Sequence, residues 1–438
     1  YNHISMKSLY HHIVLAFVAA AAAALSVSAV EPSETYRRMA SNYYAYPYPA
    51  QPVPELTATP DGYTPYHIEH YGRHGSRWHI GTGSYRRPVE MLAKADAAGK
   101  LTPRGKELLG QLRDIEVASR GRDGELTDVG AEQHRGIARR MISNFPEVFE
   151  GPARVDARST VVIRCILSMD NELQELKAAN PALIVTSDAS RADMPYMNFS
   201  DTDTVAQQAA RKADSLLKDF GKTHRYMDDF LPNIVTDTQW AKDSLDTGAL
   251  FYYLFNIAAN AQSHKDMPAP YDIFSDREMR ERWEYNNAAW FTTYGNMEVS
   301  EGLASYNQRR LLDNMLSSAD STLTSTYPSA NLRFGHEVVV MPLVVFMELD
   351  NYGKEINDLN QVASQWRDWE IFPMACNVQM VFYRPTDPGS GKPVLVKVLL
   401  NEREVSLPVA PVAPGSPYVV YDDLRSYYAK KLARVPLY

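Results

Sequence analysis

The chain has 438 residues, 45% hydrophobic and 22% charged, with a net charge of −8. That composition excludes a disordered chain, and the acidic balance argues against a general nucleic-acid binder. An anionic ligand must therefore be drawn by a local cluster of cations, and two cysteines, Cys165 and Cys376, are too few for a structural zinc site.

At the start, Tyr1 to Ser5 precede Met6 and read as a leftover. Lys7 and the apolar run Ile13 to Val27 end on the small residues Ser28-Ala29. This is the pattern of a secretory signal over residues 6–29, and with it of a periplasmic or secreted protein. The run is too short and too rich in alanine for a span, and no later segment is long enough for stable membrane insertion. Residues 30–60 are rich in proline and aromatics, with Tyr43, Tyr44, Tyr46 and Tyr48 close together, and predict extended chain packed on the surface. Alternation over Tyr66 to Tyr71 predicts a strand. Helices follow at Arg104 to Ser119, with Leu108, Leu109, Leu112 and Ile115 on one face, and at Val129 to Phe145, capped by Thr127-Asp128. Val155 to Ile166 reads as strand-to-loop.

From about Asp170 to Ser325 the pattern is helix-dominated, with candidates at Asp203 to Phe220, Asp276 to Tyr294 and Glu301 to Leu323. Asn198-Phe199-Ser200 is a formal glycosylation sequon without functional weight. Strand signals return at Asn331 to Gly335, Val378 to Tyr383 and Val394 to Leu399, with a helix from Val338 to Leu349 between the first two. The chain thus reads as α/β, then α, then α/β. The simplest architecture is a discontinuous α/β sandwich domain, residues 30–169 and 326–438, with a helical cap inserted at 170–325. A pocket between two such parts is a common place for a substrate.

Chemistry concentrates in three segments. The first is Gly72-Arg73-His74-Gly75-Ser76-Arg77-Trp78, just past the predicted strand, where ligands bind in open α/β sheets. Two guanidiniums bracket an imidazole: arginine forks match phosphate oxygens, and a neutral histidine is a nucleophile able to form a phosphoramidate. The second is Gly335-His336-Glu337, between a predicted strand and helix, where an imidazole can contact a phosphoryl oxygen and a carboxyl can protonate a leaving oxygen. The third is Arg158 to Ser168, in which Arg164 would complete a clamp of three arginines. Taken alone, each has a blander reading, as a core histidine or a solvated arginine. His67, Glu69, His70 and His74 have a metal-like spacing, but His67 and His70 fall on opposite faces of a strand. Arg86, Arg87, Arg104, Arg120 and Arg122 could add contacts to further phosphates, although exposed arginines are usually just solvated.

Together and in this order, the three segments resemble the histidine acid phosphatases, the second branch of the histidine phosphatase superfamily. Leu126-Thr127-Asp128-Val129-Gly130 is similar to the family's Leu-Thr-x-x-Gly segment, and Val394 to Glu402 to its closing strand. The Leu400-Asn401-Glu402 ending is most like the multiple inositol-polyphosphate phosphatases. The resemblance covers most of residues 60–405 and implies a phosphoglycerate mutase-like α/β sandwich with a helical cap. It further implies an exported phosphomonoesterase acting on phytate-like inositol polyphosphates through a phosphohistidine, with no metal and no cofactor. Its partner would be a small phosphorylated anion. On this resemblance His74 is the nucleophile, Glu337 the proton donor, and Arg73, Arg77, Arg164 and His336 hold the phosphoryl oxygens. A broad acid phosphatase or sugar-phosphatase, and a non-catalytic phosphate- or glycan-binding protein, are the alternatives. Two departures stand out. His79 occupies the place of the family's proline. His336-Glu337-Val338 matches neither the His-Asp of the phytase branch nor the His-Ala-Glu of the inositol-polyphosphate branch.

Overall fold

The computed structural model describes residues 33–81, 83–197, 203–325 and 327–435. The expected leader and the sequon lie outside the described residues. Eight strands form one sheet: β1 (Tyr63–Arg73), β2 (Arg154–Ser159), β3 (Ile184–Asp188), β4 (Ser329–Gly335), β5 (Asn377–Pro385), β6 (Leu395–Leu400), β7 (Arg403–Val405) and β8 (Val419–Val420). Their order is β3-β2-β4-β1-β5-β6-β7, with β8 beside β6. The β3-β2-β4-β1 half is parallel and the β1-β5-β6-β7 half antiparallel.

Alternation along the strands sends side chains to two cores. Val378, Met380 and Phe382 of β5 join helices α7 (Arg309–Thr322), α8 (Glu337–Phe346) and α9 (Tyr421–Leu432) on one face. Val381 and Tyr383 join α3 (Asp128–Asn144) and α4 (Ile163–Ala179) on the other. A third core lies away from the sheet, packing α1 (Gly83–Ala97) and α2 (Pro103–Ser119) against α5 (Thr247–Asn260) and residues 230–279. Helix α6 (Asp276–Tyr294) opens with a Ser275–Glu278 capping box. Residues 34–438 form one compact unit.

The structure corrects the sequence reading at several points: the expected helix Asp203 to Phe220 is two helices, Thr204–Arg211 and Asp214–Phe220, the one expected from Glu301 begins at Arg309, and residues 30–60 carry a short helix, Glu34–Arg38, and bury Tyr44 and Tyr46. Val155 to Ile166 is not strand-to-loop: β2 ends at Ser159 and α4 begins at Ile163, so Arg164 sits in a helical first turn. The helix-dominated stretch does not begin at residue 170, because α4 continues to Ala179 and β3 pairs in parallel with β2. Exposed β3 has no buried residue to betray a strand. The helical layer also recruits α1 and α2 from before the expected insert, because their buried leucines need the apolar faces of residues 230–279. The fold class is that expected, a mixed α/β sheet covered by helices. Among the described residues no helix is long and apolar enough to cross a membrane.

Candidate active site

Parallel strands β1 and β4 end side by side, with Arg73 paired to Gly335. The turn after β1 is held on both flanks: His74 N donates to Gly335 O at 2.9 Å, and Ala375 N to His74 O at 3.1 Å. Two helices, α4 and α8, begin there, and neither Val162 nor His336 supplies a side-chain cap. Their first N–H groups and positive dipole ends therefore favour an anion at this rim.

Gly75 is required by a backbone crossing. A Cβ there would stand 2.6 Å from Gly130 Cα, in the first turn of α3. Thr127 caps that helix, accepting from Gly130 N, and its own N–H donates to Ser76 O at 2.9 Å. Gln133 then accepts from Ser76 N at 2.9 Å and donates to Ser76 Oγ at 3.0 Å. The Leu-Thr-x-x-Gly segment thus seats the Arg-His-Gly turn. Ser168 adds to this, accepting from Gly75 N at 3.1 Å and donating to Arg164 O at 2.8 Å.

The six residues singled out by sequence converge. His74 is fully buried, and its Nδ1–H donates to Gly75 O at 2.9 Å. That bond fixes the tautomer, leaving the Nε2 lone pair without a hydrogen-bond partner, 3.8 Å from Glu337 Oε2. Burial lowers the His74 pKa well below its usual value, and Arg164, Arg73 and Arg77 lower it further, so the imidazole is neutral. The His336 ring stands 5.7 Å from that of His74 at 72°, with Nε2 3.2 Å from Thr160 Oγ1. Burial and the same arginines, opposed by Glu337, bring its pKa down to about 4. Arg73 Nε lies 3.2 Å from Glu337 Oε2. Burial resists ionisation of Glu337, but Arg73 and Arg77 outweigh it and bring its pKa down to about 2.

Arg73 Nη2, Arg77 Nε, Arg164 Nε and His74 Nε2 are buried in this cluster without a hydrogen-bond partner. Buried polar groups are seldom left so, and three cationic donors around one lone pair define a cradle for an oxyanion with an electrophilic centre. His74, His336 and Glu337 also offer three ligand atoms to a metal ion. The three arginines crowd that space with positive charge, which fits an anion better than a cation.

Two contacts escape the sequence reading. Asn42 Nδ2 stands 3.4 Å from Glu337 Oε1, and the ring of Tyr43 lies 5.5 Å from the Arg77 guanidinium. The tyrosine-rich segment therefore enters the site, and no motif around Ser41-Asn42-Tyr43 signals it. His79 bridges Tyr43 and α5, accepting from Tyr43 OH at 3.1 Å and donating to Asn256 O at 3.1 Å. Arg86, Arg104, Arg120 and Arg122 pair with Glu90, Asp272, Glu116 and Glu125. Cys165 and Cys376 are both buried and free.

No protein-family model and no curated protein sequence matches the chain. Solved structures do. A multiple inositol polyphosphate phosphatase of Bifidobacterium longum superposes with a TM-score of 0.68 at 20% identity, covering 90% of this chain and 97% of that one. The chain has the histidine acid phosphatase fold. The phytase of D. castellii superposes with a TM-score of 0.67 at 15% identity, over 91% of this chain and 85% of its own. Hafnia alvei phytase gives 0.54 at 11% identity, over 86% and 99%. The cluster built above lies where β1 and β4 end, the general position of ligand sites in open α/β sheets.

Proposed function

We propose that the protein is a phosphomonoesterase that hydrolyses inositol polyphosphates through a phosphohistidine on His74. The observation that carries this reading is the set of unpartnered arginine donors around the free Nε2 of His74, with Glu337 across from it. In the first step Nε2 attacks phosphorus in line, the P–O ester bond breaks, and Glu337 protonates the departing oxygen. In the second, the Glu337 carboxylate takes a proton from a water that attacks the phosphohistidine, releasing phosphate and neutral His74. Arg73, Arg77, Arg164 and His336 hold the equatorial oxygens and spread their charge.

Glu337 is ionised before substrate arrives, so its proton must come with the ligand. A phosphate monoester is monoanionic below about pH 6 and brings one. Once its charge neutralises Arg73 and Arg77, the influence that depresses Glu337 is gone and the proton can settle on the carboxyl. Hydrolysis is therefore fastest below neutral pH. The solved relative in complex with inositol hexasulfate supports a polyanionic inositol as the substrate class. Helices α1, α2, α5 and α6 would serve as the cap above the cradle, and residues 6–29 as an export signal.

The test is hydrolysis of phytate, glucose 1-phosphate and an aryl phosphate by the purified protein from acidic to neutral pH. Preferential turnover of phytate, unaffected by EDTA, is expected. Binding of phytate without turnover would leave a binding protein instead.

A further inference from the structure

Arg73 is aimed by two backbone oxygens. Its Nη1 donates to Asn42 O at 2.8 Å and to Phe372 O at 2.9 Å, which leaves Nη2 free to face the cradle. The two carbonyls belong to segments far apart in sequence, yet both are tied to one acid. Asp368 is completely buried, and its Oδ2 accepts from Ser41 Oγ. Its backbone carbonyl accepts from Phe372 N at 2.9 Å. The remaining carboxylate oxygen, Oδ1, accepts from Trp283 Nε1 at 2.9 Å and Trp369 N at 2.8 Å. Helix α6 steadies the assembly, because Asn286 Nδ2 donates to Ser41 Oγ at 2.6 Å and Asn287 Oδ1 accepts from Asp368 N at 2.8 Å.

Ser41 adopts φ 56°, in the left-handed region that disfavours a residue with a side chain. Such a conformation persists where its surroundings over-determine it. Here a hydroxyl bound to a buried carboxylate and to Asn286 does so, and the turn it fixes presents Asn42 and Tyr43 to the site. A buried acid kept only for fold stability would need none of this connectivity to Arg73.

We propose that Asp368 is a positioning residue: through Ser41 its carboxylate places the Asn42 carbonyl, one of the two that aim Arg73 into the cradle. The proposal rests on reading that cradle as a phosphate site. It is tested with inorganic phosphate as the probe, by calorimetric titration of the full chain, so that turnover plays no part. Two variants are compared. S41G keeps the left-handed backbone without strain and removes the hydroxymethyl side chain with its hydroxyl. D368N keeps Oδ1 and replaces Oδ2 by a group that cannot accept the Ser41 proton. Each is expected to weaken phosphate binding about tenfold, the loss of roughly one well-aimed charged hydrogen bond. In an R73A background the same substitutions are expected to change affinity no further, since the effect passes through Arg73.

Unchanged phosphate affinity in natively folded S41G and D368N overturns the proposal, and so does a tenfold loss that persists in R73A. Wild-type protein that binds no phosphate overturns the cradle itself. That outcome is read from the wild type alone, before any variant is considered.

Discussion

Strands β1 and β4 carry two buried clusters built from the same residue types, His, Glu and Arg. One is the cradle. The other, on the β1 face packed against α7, is His67, Glu69 and Arg333. In that second cluster every polar atom is partnered. His67 Nε2 meets Glu69 Oε1 at 2.9 Å and Nδ1 meets Ser329 Oγ at 2.8 Å. Asn331 Nδ2 donates to Glu69 Oε1 at 2.7 Å, and Arg333 donates to Glu69 and to Asn314. In the cradle, Arg73, Arg77, Arg164 and His74 each keep a buried nitrogen without a partner. Residue type does not separate the two; satisfaction does. A closed network holds the sheet together, whereas an open one of like charge is what the proposed phosphate site requires.

The sharpest break between the clusters is expected from H74A and H67A. H74A removes the proposed nucleophile and should lower kcat by about 10⁴-fold or more while phosphate still binds. H67A should leave kcat unchanged in folded protein. Loss of turnover in H67A comparable to that in H74A would erase the distinction. E337Q comes next, at about 10²- to 10⁴-fold on an alkyl phosphate and much less on an aryl phosphate, whose leaving group needs no proton. Equal losses on both substrates would remove Glu337 as donor.

The arginines give a smaller, paired contrast. R164A should cost about 10²- to 10³-fold in kcat/KM with little change in melting temperature, because its guanidinium has no carboxylate partner to abandon. R333A should do the reverse. It strands Glu69 in the core, a loss of about 3–5 kcal/mol, and leaves kcat/KM per folded molecule intact. Thermal melts beside kinetics on both variants decide it.

Much of this was legible in the sequence because the cradle is assembled from short segments at predictable places. Arg-His-Gly after a strand and His-Glu before a helix are local patterns, and β1 and β4 bring them together by parallel pairing. The discontinuous sheet was visible in its β-branched strands. Arg164 was found for its charge but placed on the wrong element, since Val161-Val162-Ile163 favours a strand until the helix behind it packs. Asn42 and Asp368 were not found at all. Their part depends on contacts with residues hundreds of positions away, and neither lies in a pattern that periodicity or spacing exposes. Strand β3 was missed for a different reason: an exposed edge strand lacks the apolar alternation that marks the others.

The smallest effect concerns histidines outside both clusters. His70, on the opposite face of β1 from His67, is fully buried against Phe334, and neither ring nitrogen has a hydrogen-bond partner. Burial, with His134 and Arg333 adding to it, pushes its pKa to about 3; burial and Arg77 bring His79 to about 3 as well. Both stay neutral in the folded chain, while an unfolded histidine takes up a proton below about pH 6.5. The unfolded state therefore binds more protons as pH falls, and stability is lost from about 6.5 downward. Each histidine contributes about 1.4 kcal/mol per pH unit in that window. H70L keeps a side chain of suitable size beside Phe334 and removes one such proton. Its melting temperature should fall less steeply than wild type between pH 6 and 4, with the two curves closest near neutrality. Parallel curves would mean that His70 is already charged in the fold. The proposed hydrolysis of monoanionic substrate would then take place where the core histidines erode stability, and phosphate bound in the cradle would offset part of that loss.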